Sequence, residues 1–206
     1  MTVQLHRDDL PAELDLGAVV AVDTETMGLD PRRDRLCLVQ LSSGDGSAHL
    51  VQFPIGSAAG YAAPNLRRLL SDPQRLKLFH FARFDLAMLR RHLGVVTAPV
   101  YCTKIASKMT RTYTDRHGLK DLCGDLLGVA ISKQQQSSDW GAVELSSEQL
   151  AYAASDVLHL HALKERFDAL LAREGRSELA RACFDFLPHR AALDLAGWAE
   201  PDIFQH

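Results

Sequence analysis

The sequence lacks both a long apolar segment and a paired-cysteine motif. No apolar run approaches the roughly 18 residues of a membrane span, and Met1 to Glu13 is too polar for a signal peptide. No CxxC pair occurs among its four cysteines, Cys37, Cys102, Cys123 and Cys183. This argues against a zinc site and a disulfide framework, so we expect reduced, mostly buried thiols in a cytoplasmic protein without a membrane anchor.

An excess of positive charge is also missing. Lysine and arginine number 23 against 26 acidic residues, for a net charge of −3. Proteins that grip long nucleic acids usually have a basic face, so this balance fits a small substrate better, although a local patch is not excluded. Arg83, Arg111 and Arg116 are either phosphate ligands or solvated surface charge. The length of 206 residues with 47% hydrophobic content suits one α/β domain.

Two carboxylates stand on one apolar strand, in the segment Val19-Val20-Ala21-Val22-Asp23-Thr24-Glu25. Alternate residues of a strand face the same side, so Asp23 and Glu25 point together. Anions this close repel each other unless a cation lies between them, and a hard divalent ion is the natural candidate. Strands also carry terminal acids for solubility, so this spacing alone is weak evidence.

Two further acids lie on predicted helices. Asp85 opens a helix after the strand-like run 76–79, where the helix macrodipole alone would favour an acid. Tyr152 and Asp156 are four residues apart and share one face of a long helix that begins near Ser146. The structural alternative for this pair is an exposed helix face. Ser146 and Gln149 have the spacing of a capping box.

Together the four acids Asp23, Glu25, Asp85 and Asp156 predict a site for two divalent metal ions, Mg²⁺ or Mn²⁺. Two such ions, about 3.5–4 Å apart, stabilise the attacking and leaving oxygens of an in-line displacement at phosphorus. Tyr152 would orient the attacking water through a hydrogen bond.

The ordered motifs Asp-x-Glu, His-x-x-x-Phe-Asp and Tyr-x-x-x-Asp, at residues 23–25, 80–85 and 152–156, resemble the DEDD superfamily of 3′–5′ exonucleases. The tyrosine resembles that of the DEDDy branch, and residues 19 to about 165 resemble the catalytic domain of ribonuclease D. Segments 118–122, 133–140 and 150–156 follow that family's order as well. The resemblance implies an α/β, ribonuclease H-like fold, with a mixed β-sheet flanked by helices.

Segments 102–120 and 193–200 resemble the nanoRNase C family more closely. Ribonuclease D continues into helical C-terminal domains, whereas this chain ends about 50 residues after Asp156. The resemblance implies hydrolysis of very short RNAs, especially dinucleotides such as linear diguanylate, to nucleoside 5′-monophosphates. It also implies a homo-octamer.

Six further residues are candidate substrate contacts. Leu29 either wedges between bases or packs a turn, and His80 either contacts phosphate or sugar or is structural. Segment 131–141 is a polar loop that either links elements or lines the site. The complete set of candidate contacts is Thr24, Leu29, His80, Ser137, Ser138 and Trp140.

We expect one exonuclease domain over residues 1–206. Strands at 19–24, 36–41 and 48–53 form a meander, followed by strands at 76–79 and 100–101. Helices are predicted at 65–70, 84–93, 103–109, 119–127 and 146–173. The catalytic core ends near residue 175. Segment 176–206, a helix with an extended end, packs either on its own domain or on a neighbouring subunit, and the octamer of the related family favours the second.

Other functions compete with a diribonuclease. The chain could be a general ribonuclease D-like exonuclease that trims tRNA 3′ ends, or it could degrade DNA from 3′ ends. A non-catalytic nucleic-acid-binding or scaffold relative is a third reading. Such relatives usually lose acids from the metal set, whereas all four are present here.

Overall fold

A six-stranded mixed sheet forms the centre of the computed structural model, which describes residues 2–132 and 134–204. Along the sheet the order is β1-β4-β3-β2-β5-β6. Strand β3 is antiparallel to β2 and β4, and the other three pairings are parallel. The predicted mixed sheet is therefore confirmed. The strands are β1 (Thr2–Arg7), β2 (Val19–Thr26), β3 (Leu36–Ser42), β4 (Ser47–Gln52), β5 (Leu76–Phe79) and β6 (Val100–Cys102).

The edge strand β1 was not predicted. Its residues are mostly exposed, and only Val3 and Leu5 supply the apolar–polar alternation that is the usual sequence signal of a strand. It exists because its backbone pairs in parallel with β4 over the whole range from Thr2 to Arg7. Partners that are distant in sequence determine this element.

Seven α-helices occur among the described residues. They are α1 (Pro64–Ser71), α2 (Ala82–Leu93), α3 (Thr103–Thr110), α4 (Leu119–Leu122), α5 (Ser147–Leu158), α6 (Leu160–Arg173) and α7 (Ser177–Leu195). Two predictions need correction. The helix expected at 119–127 is α4 followed by a π-helical turn, Cys123–Leu127. The single helix expected at 146–173 breaks at His159, where no glycine or proline signals the break.

Helices cover both faces of the sheet. All seven residues of β3 are buried, and α5 packs across β2, β3 and β4. Burial on both faces removes the apolar–polar alternation of a one-sided sheet. The four cysteines are free, and all except Cys183 are buried. Within the described ranges no helix combines the length and apolarity that a membrane crossing requires.

Helix α7 packs on α2 and β6 of its own chain. Phe184, Leu187 and Ala191 are buried in this contact. Segment 176–206 was expected to pack either on its own domain or on a neighbouring subunit. Its helix packs on its own domain. Contact of the segment with a neighbouring subunit stays a prediction. The described residues after α7 form turns and bends, so the expected extended end is wrong.

An ion-pair network fixes α7 on α2. The Asp194 carboxylate is 5% exposed and accepts hydrogen bonds from Arg83 Nε and Nη2 at 2.7 and 2.8 Å. Arg190 donates to the same carboxylate at 2.7 Å. Arg83 therefore has a structural partner, which neither of its two predicted roles included.

Asp194→Asn should destabilise the protein by about 3 kcal/mol, because removing one member of a buried ion network leaves charges uncompensated. Urea denaturation monitored by circular dichroism measures this change. The matched control on the same helix is Arg181→Ala, whose pair with Glu178 is highly exposed. Its loss should be about 0.5 kcal/mol or less. Equal effects of the two substitutions would contradict this role of Asp194.

Candidate active site

Three carboxylates converge on one face of the sheet. Asp23 and Glu25 project from β2 with the period of two that a strand imposes, and α5 places Asp156 opposite them. Carboxylate oxygens of Asp23, Glu25 and Asp156 all lie within 4.8 Å of one another. Three oxygen ligands at this separation suit a hard divalent cation.

The N-terminus of α5 is fixed by the predicted capping box. Ser146 Oγ accepts from the Gln149 amide at 3.2 Å, and Gln149 Oε1 accepts from the Ser146 amide at 2.9 Å. Gln149 Nε2 also donates to Ser138 Oγ and to the Asp139 carbonyl, both at 3.1 Å. One side chain therefore anchors the loop before α5 to the helix that carries Tyr152.

Asp85 lies in the first turn of α2, beside the three-carboxylate group. It is 3% exposed and accepts a hydrogen bond from Thr24 Oγ1 at 2.7 Å. Thr24 lies between Asp23 and Glu25 on β2. Its hydroxyl orients Asp85, a role that the sequence did not reveal. Substrate contact by Thr24 stays a prediction.

Burial and mutual repulsion dominate the electrostatics of these acids. Burial, followed by the charges of its acidic neighbours, raises the pKa of Asp23 well above its usual range. The same causes raise the pKa of Glu25 to about 9. Burial raises the pKa of Asp85 to about 7, although the hydrogen bond from Thr24 acts against this shift. A divalent cation among these groups would offset their mutual repulsion and favour their ionised forms, so the donor set fits divalent metal ions.

Tyr152 stands beside Asp156 at this group. Burial and the nearby charges of Asp156, Glu25 and Asp23 raise the pKa of its phenol. The phenol therefore stays protonated at neutral pH and can donate a hydrogen bond. Trp140 packs near its ring, with centroids 5.9 Å apart.

A cavity of about 740 Å³ opens over the carboxylates. All six candidate substrate contacts line it: Thr24, Leu29, His80, Ser137, Ser138 and Trp140. Leu29 is 85% exposed, which argues against the turn-packing alternative. Ile131, Ser132 and Gln136 of the loop 131–141 also line the wall. Lys133 of this loop lies outside the described residues.

Two of these candidates are held by neighbouring groups. His80 Nδ1 lies 2.9 Å from Thr103 Oγ1, and that hydroxyl donates to the Phe79 carbonyl at 3.2 Å. Thr103 therefore connects the His80 ring to the end of strand β5. Trp140 is only 2% exposed, so it reaches the cavity as part of the wall.

Sequence reasoning missed other cavity residues, including Phe81, Lys104 and Lys120. Phe81 lies outside the helix predicted at 84–93, and no motif marked it. It precedes α2, is 46% exposed and has a left-handed backbone with φ 71°. Lys104 was not singled out at all, and its Nζ lies 4.2 Å from the Phe81 ring centroid.

The remaining two arginines of interest are engaged in pairs. Arg111 is buried and donates to Asp125 at 2.5 Å. Arg116 bonds Asp121 at 3.0 Å. Neither lines the cavity over the carboxylates. The proposed phosphate role finds no support at these two positions.

Comparisons with known proteins were made for the whole chain. A family model described as 3′–5′ exonuclease matches residues 6–172. Ribonuclease D of Acidiphilium cryptum is 38% identical over 157 residues, which are 76% of this chain and 39% of the relative. The chain thus spans about two fifths of that relative's length.

Solved structures match over the full chain. Brucella melitensis NrnC with bound Mg²⁺ is 56% identical with a TM-score of 0.94, and the match covers 100% of both chains. Brucella melitensis NrnC bound to pGG is 57% identical with a TM-score of 0.95 and covers 100% of this chain and 99% of that one.

Without metal, the protein should lose stability as the pH rises. The folded-state pKa of Glu25 is about 9 against an ordinary 4.5, so between these values the unfolded state ionises while the folded state keeps its proton. The loss from one such group is about 1.4 kcal/mol per pH unit. Urea unfolding in EDTA at several pH values measures it, and Mg²⁺ should restore stability at high pH.

Asp156→Asn should flatten this pH dependence because it removes one repelling charge. The matched control is Asp185→Asn, which changes an exposed acid far in sequence from the four site acids. It should leave the dependence of the unfolding free energy on pH unchanged. A wild-type protein in EDTA whose stability rises between pH 5 and pH 9 would contradict the assignment of a repelling, buried cluster.

Proposed function

The chain belongs to the 3′–5′ exonuclease family, and on that premise we propose that it is a 3′–5′ exoribonuclease acting on very short RNAs. Diribonucleotides are the proposed main substrates and nucleoside 5′-monophosphates the products. Its sheet and helices have the ribonuclease H-like arrangement predicted from the motifs. One observation carries the proposal. The carboxylates of Asp23, Glu25 and Asp156 meet in a cavity of a chain that matches, over its full length, a protein bound to pGG.

Asp23, Glu25, Asp85 and Asp156 are the proposed ligands of two divalent cations, Mg²⁺ or Mn²⁺. Such cations, when bound, stabilise charge on the attacking and leaving oxygens and lower the pKa of water. The similarity to a structure with bound Mg²⁺ supports this choice of cofactor. Thr24 contributes by holding the Asp85 carboxylate in one orientation through its 2.7 Å hydrogen bond.

Tyr152 positions the attacking water. Its phenol is protonated at neutral pH, so it acts as a hydrogen-bond donor and not as the base that removes the proton. The ring of Trp140 lies beside the Tyr152 ring, with centroids 5.9 Å apart. Gln149 supports the arrangement because it joins the loop next to Trp140 to helix α5. The water then attacks the phosphorus of the 3′-terminal linkage and the P–O3′ bond breaks. The upstream nucleoside leaves with a 3′-hydroxyl, which takes up a proton, and the 3′-terminal nucleoside is released as its 5′-monophosphate.

The remaining contacts favour a small substrate. Leu29 projects into the cavity and is the proposed wedge between two bases, and His80 is the proposed contact to phosphate or sugar. Ser137 and Ser138 are proposed to line the substrate path. The volume of about 740 Å³ is within the range, about 300–1,000 Å³, of pockets that hold one small ligand.

We also infer a cytoplasmic homo-oligomer, an octamer by likeness to the related family. Large apolar side chains on and after α7 remain exposed, and they support contact with a second copy. They are Leu179, Phe186, Trp198, Ile203 and Phe204.

A cleavage time course on 5′-labelled RNAs of two, three, five, seven and twenty nucleotides tests the function. The dinucleotide should be hydrolysed fastest, EDTA should stop the reaction, and a DNA dinucleotide run in parallel measures sugar preference. Asp156→Ala is the control without activity, since it removes a proposed metal ligand. Shortening of the 20-mer at equal or greater speed would instead indicate a general ribonuclease D-like exonuclease, and cleavage of RNA by Asp156→Ala at the wild-type rate would contradict the metal assignment.

A further inference from the structure

Phe81 has an unusual backbone conformation. It precedes α2 with φ 71° and ψ 43°, in the left-handed region. In the described residues only Asp8 and Ala63 share a positive φ without being glycine. Left-handed positions favour glycine, asparagine or aspartate, and a bulky aromatic residue there is strained. A requirement for the ring itself would explain why phenylalanine occupies this position.

Burial does not provide that explanation. The residue is 46% exposed, so nearly half of the apolar contact that could offset the strain is missing. Phe81 borders the cavity over the carboxylates and also a neighbouring cavity of about 310 Å³. Strained residues that the fold retains are concentrated at functional sites.

The position of Lys104 adds a second observation. Its Nζ lies 4.2 Å from the Phe81 ring centroid, within the distance of a cation–π contact. Lys104 also borders the same cavity. An ammonium group at this distance from the ring centroid helps to hold the ring at the cavity edge.

We propose that Phe81 is a stacking platform for one nucleobase of the substrate, held in place by Lys104. The inference rests on the proposed function, because it assumes that the cavity accepts a short RNA. Aromatic side chains bind bases by stacking in a sequence-tolerant way, since every base has a π-face. The platform should therefore favour purines over pyrimidines through their larger ring area.

Phe81→Asn is the most informative variant. Asparagine tolerates the left-handed backbone, so the fold should be at least as stable, while the stacking surface is lost. We expect kcat/KM for pGG to fall roughly 5- to 150-fold, the range for loss of one base stack. Phe81→Tyr keeps the ring and should recover most of the activity. Tyr113→Asn changes another exposed aromatic residue, outside the cavity, and should have no effect.

Abasic substrates separate stacking from a general structural role. Two analogues of pGG are compared, each lacking one of the bases. If Phe81 stacks on a base, Phe81→Asn should lose its effect on the analogue that lacks that base, with an unchanged oligomeric mass. An equal loss on pGG and on both analogues, or no loss on pGG, would overturn the proposal.

A binding measurement makes the test independent of turnover. A 2-aminopurine dinucleotide loses fluorescence when its base stacks, and Ca²⁺ can replace Mg²⁺ to limit cleavage. Wild-type protein should quench the probe and Phe81→Asn should quench it much less. If the wild type quenches the probe more than Phe81→Asn does but cleaves no RNA in Mg²⁺, stacking on Phe81 is supported and the proposed function is contradicted. Equal quenching by both proteins, or none by the wild type, would contradict the platform.

Discussion

Repulsion between partly buried carboxylates is the constraint on which the site depends. Asp23, Glu25 and Asp156 bring oxygens within 4.8 Å of one another, and Asp85 adds a fourth acid nearby. The fold holds these groups together although burial and repulsion disfavour their ionised forms. A divalent cation offsets both the burial and the mutual repulsion of the ionised carboxylates. Metal binding and the stability of the site are therefore linked.

The surrounding elements maintain this arrangement from several directions. Strand β2 sets the spacing of Asp23 and Glu25, and α5, fixed at its N-terminus by Gln149, presents Tyr152 and Asp156. Helix α2 brings Asp85, and its own position is secured by α7 through the pairs to Asp194. The C-terminal helix therefore supports the site from a distance, even though the acids come from earlier segments.

Much of this site could be predicted because its determinants are local. Alternation on a strand, a four-residue helical spacing and an ordered set of motifs identified the acids and Tyr152. The features that were missed depend on distant partners. Strand β1 forms through its pairing with β4, and Arg83 meets Asp194 across 111 residues. The left-handed backbone of Phe81 is likewise set by its surroundings, and no residue pattern marks it.

A titration of Mn²⁺, followed by the electron paramagnetic resonance of the free ion, tests the central claim most directly. The measurement uses a dinucleotide phosphorothioate to slow turnover. The account predicts two Mn²⁺ per chain for the wild type and for Tyr152→Phe, since the tyrosine orients water and does not hold metal. Asp23→Asn should lose at least one. Wild-type stoichiometry in Asp23→Asn, or equal loss in Tyr152→Phe, would contradict the account.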